Sequence, residues 1–493
     1  MKTSSSIVVL IAVAAVSLAG VVGGAEDEPP ALRVHTAGRF LTTENGRPAF
    51  LLCDTAWSLA TRVSREDAEA YLKKRRDQQF NAVTFVLFTR GNNDLGSTDS
   101  NHYGHAPFKI VNGRPDPTQP DVQPGPDNDF WDHVDWLVAL TRRLGFHAII
   151  LPTWGSGVAG SYNGKDVDGI VFNQSNAYAY GRWLGERFES EPHLVWMLGG
   201  DRRAVYGEKD YRPVFQAMAE GLGDGSHGID RHDGKADFSG LLMSFHPPKK
   251  SPQSSDWFHH DGWLSFNSIQ HWPEDQQKAI EHDWSLAPPK PTWVFETRYE
   301  GYGQRPNKTT DWGEWQMRQQ AWQSVLAGGF GFTYGHERVF GFGADGSDWT
   351  KELDAPGANQ MRNLVKLMSL WSEEDYFERV PDQSLLDGNE GVAERLKSNR
   401  ITATRNAAAT LAMIYSGDGS GIRLKMDRLA GKKITASWFN PRTGNWRVGD
   451  AEFDQPTSFA NDLNGGAGAK VREFVPPGGR ADGNDWLLIL DAR

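Results

Sequence analysis

The sequence predicts an α/β protein: a closed (β/α)8 barrel of the TIM type, preceded by an N-terminal β-hairpin and followed by a C-terminal β-sandwich domain. Three observations carry that reading. Eight apolar strand-like runs alternate with helix-patterned segments between Phe50 and Trp371. Within those runs polar and apolar residues do not alternate, as expected of parallel strands buried on both faces. Beyond Val380 the texture changes to short strands separated by turn signals.

The elements follow in chain order. Lys2, the apolar stretch Ile7–Val22 and the small residues Gly23-Gly24-Ala25 ahead of Glu26-Asp27-Glu28 describe a cleavable signal peptide over residues 1–25. An uncleaved anchor is the alternative, but the apolar run falls short of the ~20 residues of a comfortable span. Export to the periplasm or secretion is therefore expected, with no membrane span in the mature chain. Next, Ala31–Phe50 reads as a hairpin turning at Asn45-Gly46, a pair suited to the positive φ of a tight turn. It opens the barrel domain, expected over residues 31–379.

The eight strand-like runs are Phe50–Asp54, Ala82–Phe88, His147–Trp154, Leu194–Asp201, Leu241–His246, Leu264–Gln270, Thr292–Glu296 and Gly329–Tyr334. Helices are predicted over Ser64–Gln79, Asp129–Leu144, Asn176–Phe188, Tyr211–Leu222, Glu274–His282, Trp312–Leu326 and Pro356–Trp371. The first begins on Ser-x-x-Asp, close to a capping box, and the second runs from an Asp cap to Gly145. Thr89–Asn128 and Gly223–Phe238, rich in Gly and Asp, read as loop insertions, the first on the rim above the strand ends. Residues 380–493 form the C-terminal domain.

Composition narrows the function. The 493-residue chain is 39% hydrophobic and 23% charged, which is globular, and its formal charge of −11 argues against nucleic-acid partners. Cys53 is the only cysteine, so no internal disulfide forms, and it reads as a small buried hydrophobe. No GxSxG elbow or phosphate-cradling loop occurs. Gly341-x-Gly343-x-x-Gly346 matches a dinucleotide fingerprint only in letters, because it opens no helix. His232-Asp233 with Asp230, and His259-His260-Asp261, lack metal-motif spacing, so neither metal nor cofactor is expected.

Besides Phe50–Asp54, two runs end in a carboxylate, Asp201 after HLVWMLGG and Glu296 after PTWVF. As the ends of the fourth and seventh strands they would face one pocket, which is the equipment for glycoside hydrolysis. The bland alternative is a structural ion pair with Arg202, Arg203 or Arg298. The 19 tryptophans add a second signal, since sugar rings stack on indole faces, and Trp57, Trp154, Trp257, Trp263 and Trp272 stand near strand ends or in loops. Candidate substrate-binding residues are Asp54, Trp57, Trp154, His246, Gln270, Arg298, Tyr334 and His336. The expected partner is a carbohydrate. A non-catalytic carbohydrate-binding or adhesive envelope protein on the same scaffold is the competing class.

The succession LLCDTAW (Leu51–Trp57), LPTWG (Leu151–Gly155), VWMLGGDR (Val195–Arg202), SFHP (Ser244–Pro247), FNSIQ (Phe266–Gln270), FETRYEG (Phe295–Gly301) and GGFGFTYGHE (Gly328–Glu337) resembles the apiosidase-like glycoside hydrolases. The tail, with ASWFNPRTGNW (Ala436–Trp446), resembles the collagen-binding-type module that commonly follows that barrel. The resemblance implies a secreted bacterial retaining glycosidase acting on plant- or algal-type polysaccharide, with pectic rhamnogalacturonan II as the characterised substrate. It implies Asp201 as acid/base, Glu296 as nucleophile and Asp54 as a sugar-binding carboxylate.

Overall fold

The computed structural model describes residues 28–89, 100–162, 165–166, 170–250, 252–271, 273–302, 312–388 and 401–492. The expected signal peptide, residues 90–99 of the rim insertion and Trp272 lie outside them.

Eight parallel strands form the barrel: β1 (Leu51–Thr55), β2 (Ala82–Val86), β3 (His147–Leu151), β4 (Leu194–Gly199), β5 (Leu242–His246), β6 (Asn267–Gln270), β7 (Thr292–Glu296) and β8 (Gly331–Tyr334). They pair in the order β5-β4-β3-β2-β1-β8-β7-β6. At the seam serine hydroxyls join a backbone bond, from the Ser265 N–H to the Met243 carbonyl at 2.8 Å: Ser244 Oγ donates to the Phe266 carbonyl at 2.6 Å and Ser268 Oγ to the Phe245 carbonyl at 2.7 Å. Every residue of these strands is buried, which is why no alternation is visible in the sequence.

Helix ends follow the local chemistry. Ser64 caps Arg65–Asp77 by accepting from the Asp67 N–H, and Asp129 caps Phe130–Arg143 by accepting from Trp131 and Asp132. One expectation fails at Gly223, where the chain continues as helix to Ser226 rather than entering a loop. The reason is packing. Gly181 and Gly185 of Gln174–Arg187 face Gly221 and Gly225 of Arg212–Ser226 so closely that a Cβ on Gly225 would sit 2.0 Å from the Arg182 carbonyl, and one on Gly185 2.4 Å from that of Leu222. These glycines join two backbones instead of ending a helix. The hairpin is a three-stranded sheet (Leu32–Val34, Leu41–Thr43, Pro48–Ala49) whose Phe40 is buried against Trp284, Tyr376 and the Arg379 guanidinium.

The tail is an all-β domain. Its main antiparallel sheet contains Thr402–Arg405, Leu411–Ser416, Trp486–Asp491 and Ile434–Asn440 as neighbours, and a two-stranded sheet of Ile422–Lys425 and Val471–Phe474 covers one face. Here the two-residue period decides the packing. Ala412, Ile414, Leu488 and Leu490 enter the domain's own core, whereas Met413, Tyr415, Leu487 and Ile489 join the core shared with the barrel. The domain docks on the outer helix Glu314–Leu326, with Trp322 against Tyr415 and Phe439, and on Pro356–Met368, where Asn363 donates to the Pro441 carbonyl.

Candidate active site

Six strand ends feed the pocket at the C-terminal mouth, and the decisive bend is Gly199-Gly200-Asp201. All three have positive φ (87°, 123° and 53°), which turns the chain inward just past β4. Side chains at the first two are excluded by crowding: a Cβ on Gly199 would lie 2.5 Å from the His246 carbonyl, and one on Gly200 2.7 Å from the Trp154 ring. Asp201 pays the left-handed strain itself, a feature concentrated at functional positions. Glu296 ends β7 directly. A register shift after Ile269 sets Gln270 opposite it.

Asp201, His246 and Glu296 converge, each offering one atom within 4.8 Å of the other two. Both Glu296 oxygens are held. Tyr299 Oη donates to Oε1 at 2.5 Å and is itself held by Trp57 Nε1 at 2.8 Å. His246 Nε2 lies 2.8 Å from Oε2, and its Nδ1 lies 2.8 Å from the Pro247 carbonyl. A carbonyl only accepts, so Nδ1 carries hydrogen, and the contact at Nε2 then needs one further proton between imidazole and carboxylate.

The electrostatics place that proton on the ring. Burial alone would depress His246, but its hydrogen bond with Glu296 and the charges of Glu296 and Asp201 outweigh burial and raise its pKa. Burial alone would raise Glu296, but the His246 contact, the Lys249 charge and the Tyr299 hydroxyl outweigh it and hold the carboxyl below its usual range. Asp201 goes the other way: burial, then the Glu296 charge, lifts it. Its Oδ1 has no hydrogen-bond partner, and the Gln270 amide approaches without closing a bond of ordinary geometry. The arrangement is an ionised carboxylate facing a neighbouring carboxyl that favours its proton. The same three side chains are the one group, among the described residues, whose donor atoms converge tightly enough for a metal ion. The His246–Glu296 hydrogen bond already engages two of the three.

Six of the expected substrate contacts stand elsewhere or act differently. Asp54 and Tyr334 are register partners on β1 and β8 and are fully buried on the helix-facing side. Asp54 Oδ2 is paired with Arg75 Nε at 2.5 Å and accepts from Tyr71, and Tyr334 Oη donates to Glu300 Oε2 at 2.5 Å. A strand-end position does not specify which face its side chain takes. Trp57 and Trp154 do wall the pocket, but each is 1% exposed and presents no open ring face. They meet edge-on at 5.2 Å, and the Gly200 backbone lies against Trp154. Trp257 and Trp263 pack on Phe245 and Phe258 behind β5. His336 lies beside Glu352 at 3.7 Å, its pKa lowered to about 4 by burial. Arg298 stacks over Trp312 at 4.6 Å and Tyr302 at 5.6 Å. Tyr299 was not anticipated, although its place three residues after Glu296 was the available signal.

With this geometry in hand, the similarity to known proteins is informative. Residues 35–374 match the model of the apiosidase-like catalytic domain. The chain belongs to the apiosidase-like family. Residues 380–491 match a second model, described as "Putative collagen-binding domain of a collagenase". None of the curated proteins matches in sequence. Among solved structures, a glycoside hydrolase family 5 protein from Bacteroides vulgatus is 28% identical, with a TM-score of 0.76 over 94% of this chain and 93% of that one. Another glycoside hydrolase is 28% identical, with a TM-score of 0.75 over 94% and 97%. This apiosidase-like protein is a glycoside hydrolase with a carbohydrate substrate. No helix among the described residues is long and apolar enough to cross a membrane.

Proposed function

We propose that the protein is an exported retaining glycosidase that cleaves a glycosidic bond in a plant- or algal-type polysaccharide, with Asp201 as acid/base and Glu296 as nucleophile. The observation that carries this reading is the convergence of the two acids on one pocket, with an oxygen of each within 4.8 Å of an oxygen of the other. Inverting enzymes hold their carboxyls about 6.5–9.5 Å apart to admit a water, whereas retaining enzymes use about 5–5.5 Å. The opposed protonation tendencies support the division of roles.

In the first step Asp201 gives its proton to the leaving oxygen while Glu296 attacks the anomeric carbon. Esterification removes the Glu296 charge, which lowers the Asp201 pKa and fits the ionised Asp201 to take a proton from the incoming water. That water attacks the same carbon and frees Glu296. Export rests on the character of residues 1–25. Pectic rhamnogalacturonan II is the substrate the family resemblance suggests.

The test is a screen of pectic and algal polysaccharides with product analysis, followed by NMR of the first-formed anomer. Retained configuration, absent with Glu296→Gln, is expected. Inverted first product would reject the mechanism, and no turnover of any glycan would favour the binding-protein alternative.

A further inference from the structure

Arg318-Gln319-Gln320 are three consecutive polar residues inside one helix, and none is more than 2% exposed. Such burial persists only where each group finds partners, so the partners show what the helix joins. Arg318 forks onto Asp485, with Nη2 to Oδ1 at 2.7 Å and Nε to Oδ2 at 2.9 Å, and Gln319 Nε2 donates to the Gly417 carbonyl at 3.1 Å. Both partners belong to the C-terminal domain.

Gln320 turns toward the barrel. Its Oε1 accepts from the Thr297 hydroxyl and from the Arg298 N–H at 3.2 Å, and its Nε2 donates to the Arg298 carbonyl at 3.0 Å. One side-chain amide thus pairs with the Arg298 peptide groups as a neighbouring strand would, just past the end of β7. The clamped segment is Glu296-Thr297-Arg298-Tyr299. It carries both the carboxylate and the phenol that holds it.

The geometry points to Gln320 as a positioning residue for Glu296, fixing the segment that bears Glu296 and Tyr299 and keying it, through the helix, to the C-terminal domain. This rests on the reading of Glu296 as nucleophile. Loss of the clamp removes both Gln320 bonds from the Arg298 peptide and frees the Tyr299 phenol to drift from Glu296. Displacements of about 1 Å at a reacting group cost on the order of 10²-fold in rate.

The experiment compares Gln320→Leu, Gln320→Glu and Gln276→Leu in the full chain. The last removes a buried bond to the same helix, from Gln276 Nε2 to the Gln320 carbonyl at 2.6 Å, without touching the clamped segment. Gln320→Leu is expected to lower kcat about 10²-fold with KM little changed. Gln320→Glu, which keeps the accepting oxygen, should recover much of that loss. Gln276→Leu should lower the melting temperature and keep wild-type kcat. Wild-type kcat in Gln320→Leu, or an equal loss in Gln276→Leu, would overturn the assignment.

A second readout needs no turnover. His246 faces Glu296, within hydrogen-bond distance, and Asp201, both of which also feel the Lys249 charge, so its ring titration, followed by NMR of isotope-labelled histidine, reports the placement of Glu296. The midpoint should fall in Gln320→Leu and stay in place in Gln276→Leu. An unmoved midpoint in folded Gln320→Leu contradicts the clamp. This readout decides the clamp even if the retaining reading itself fails on Glu296→Gln.

Discussion

Two acid clusters lie at the C-terminal mouth of the barrel, one at β1 and β8 and the other at β4, β5 and β7, and they have opposite characters. Outside the ring, Asp54 is tied to Arg75 and Tyr71, and Glu300 accepts from Tyr334 Oη at 2.5 Å and the Gly357 N–H at 3.0 Å. Inside it, Asp201 and Glu296 share a pocket with a histidine, and Asp201 Oδ1 has no hydrogen-bond partner. A guanidinium stays charged across the working range of pH, so Asp54 is fixed as one half of an ion pair. The inner cluster pairs its acids with a group that titrates, the His246 ring. Catalytic character thus comes from what the acids are paired with, an imidazole that can exchange a proton in one cluster and a permanently charged guanidinium in the other, not from carboxylates at strand ends as such.

The largest expected effect sharpens that contrast. Glu296→Gln should reduce turnover by at least about 10⁴-fold, because no other group can form the glycosyl-enzyme. Glu300→Gln should spare far more activity in the same assay. Next is Arg75→Met, which strands a buried Asp54 charge and should cost about 3–5 kcal/mol in urea unfolding. Adding Asp54→Asn should recover part of that loss. If Arg75→Met were neutral, Asp54 and Arg75 would not be a fixed ion pair.

A smaller effect tests the inner proton. His246→Asn removes the ring that holds Glu296 below its usual range, so the acidic limb of the pH–rate profile should move to higher pH, with kcat/KM down on the order of 10²-fold. An unshifted limb would separate His246 from the Glu296 titration. The smallest effect concerns stability. The folded-state pKa of Asp201 is raised, so its contribution is fully present below the unfolded value of about 3.9 and is lost as pH rises through the raised one. Asp201→Asn should therefore melt above wild type near neutral pH, the difference closing below about pH 4. Thermal scans across pH would check this, and an Asp201→Asn protein less stable at neutral pH would contradict it.

The barrel was legible because buried parallel strands write themselves as unbroken apolar runs, and all eight fall where the sequence places them. Asp201 and Glu296 were legible as acids closing such runs. Side-chain facing was not: Asp54 ends its run just as Glu296 does, yet it points at helix Arg65–Asp77, and only the register with Tyr334 reveals it. Glycine was misread at Gly223–Ser226, where close helix contact, not a turn, is what requires it. Gln320 was invisible because a glutamine in a helix carries no sign of its partner 22 residues upstream.

Whether Glu296 attacks while Asp201 moves the proton is decided by azide rescue on an activated aryl glycoside. Azide needs no general base, so with Asp201→Ala it should intercept the glycosyl-enzyme and give a glycosyl azide of retained configuration. With Glu296→Ala it can only replace the missing nucleophile, so the product should be the inverted azide. Retained azide from Glu296→Ala together with inverted azide from Asp201→Ala would show the two roles to be reversed.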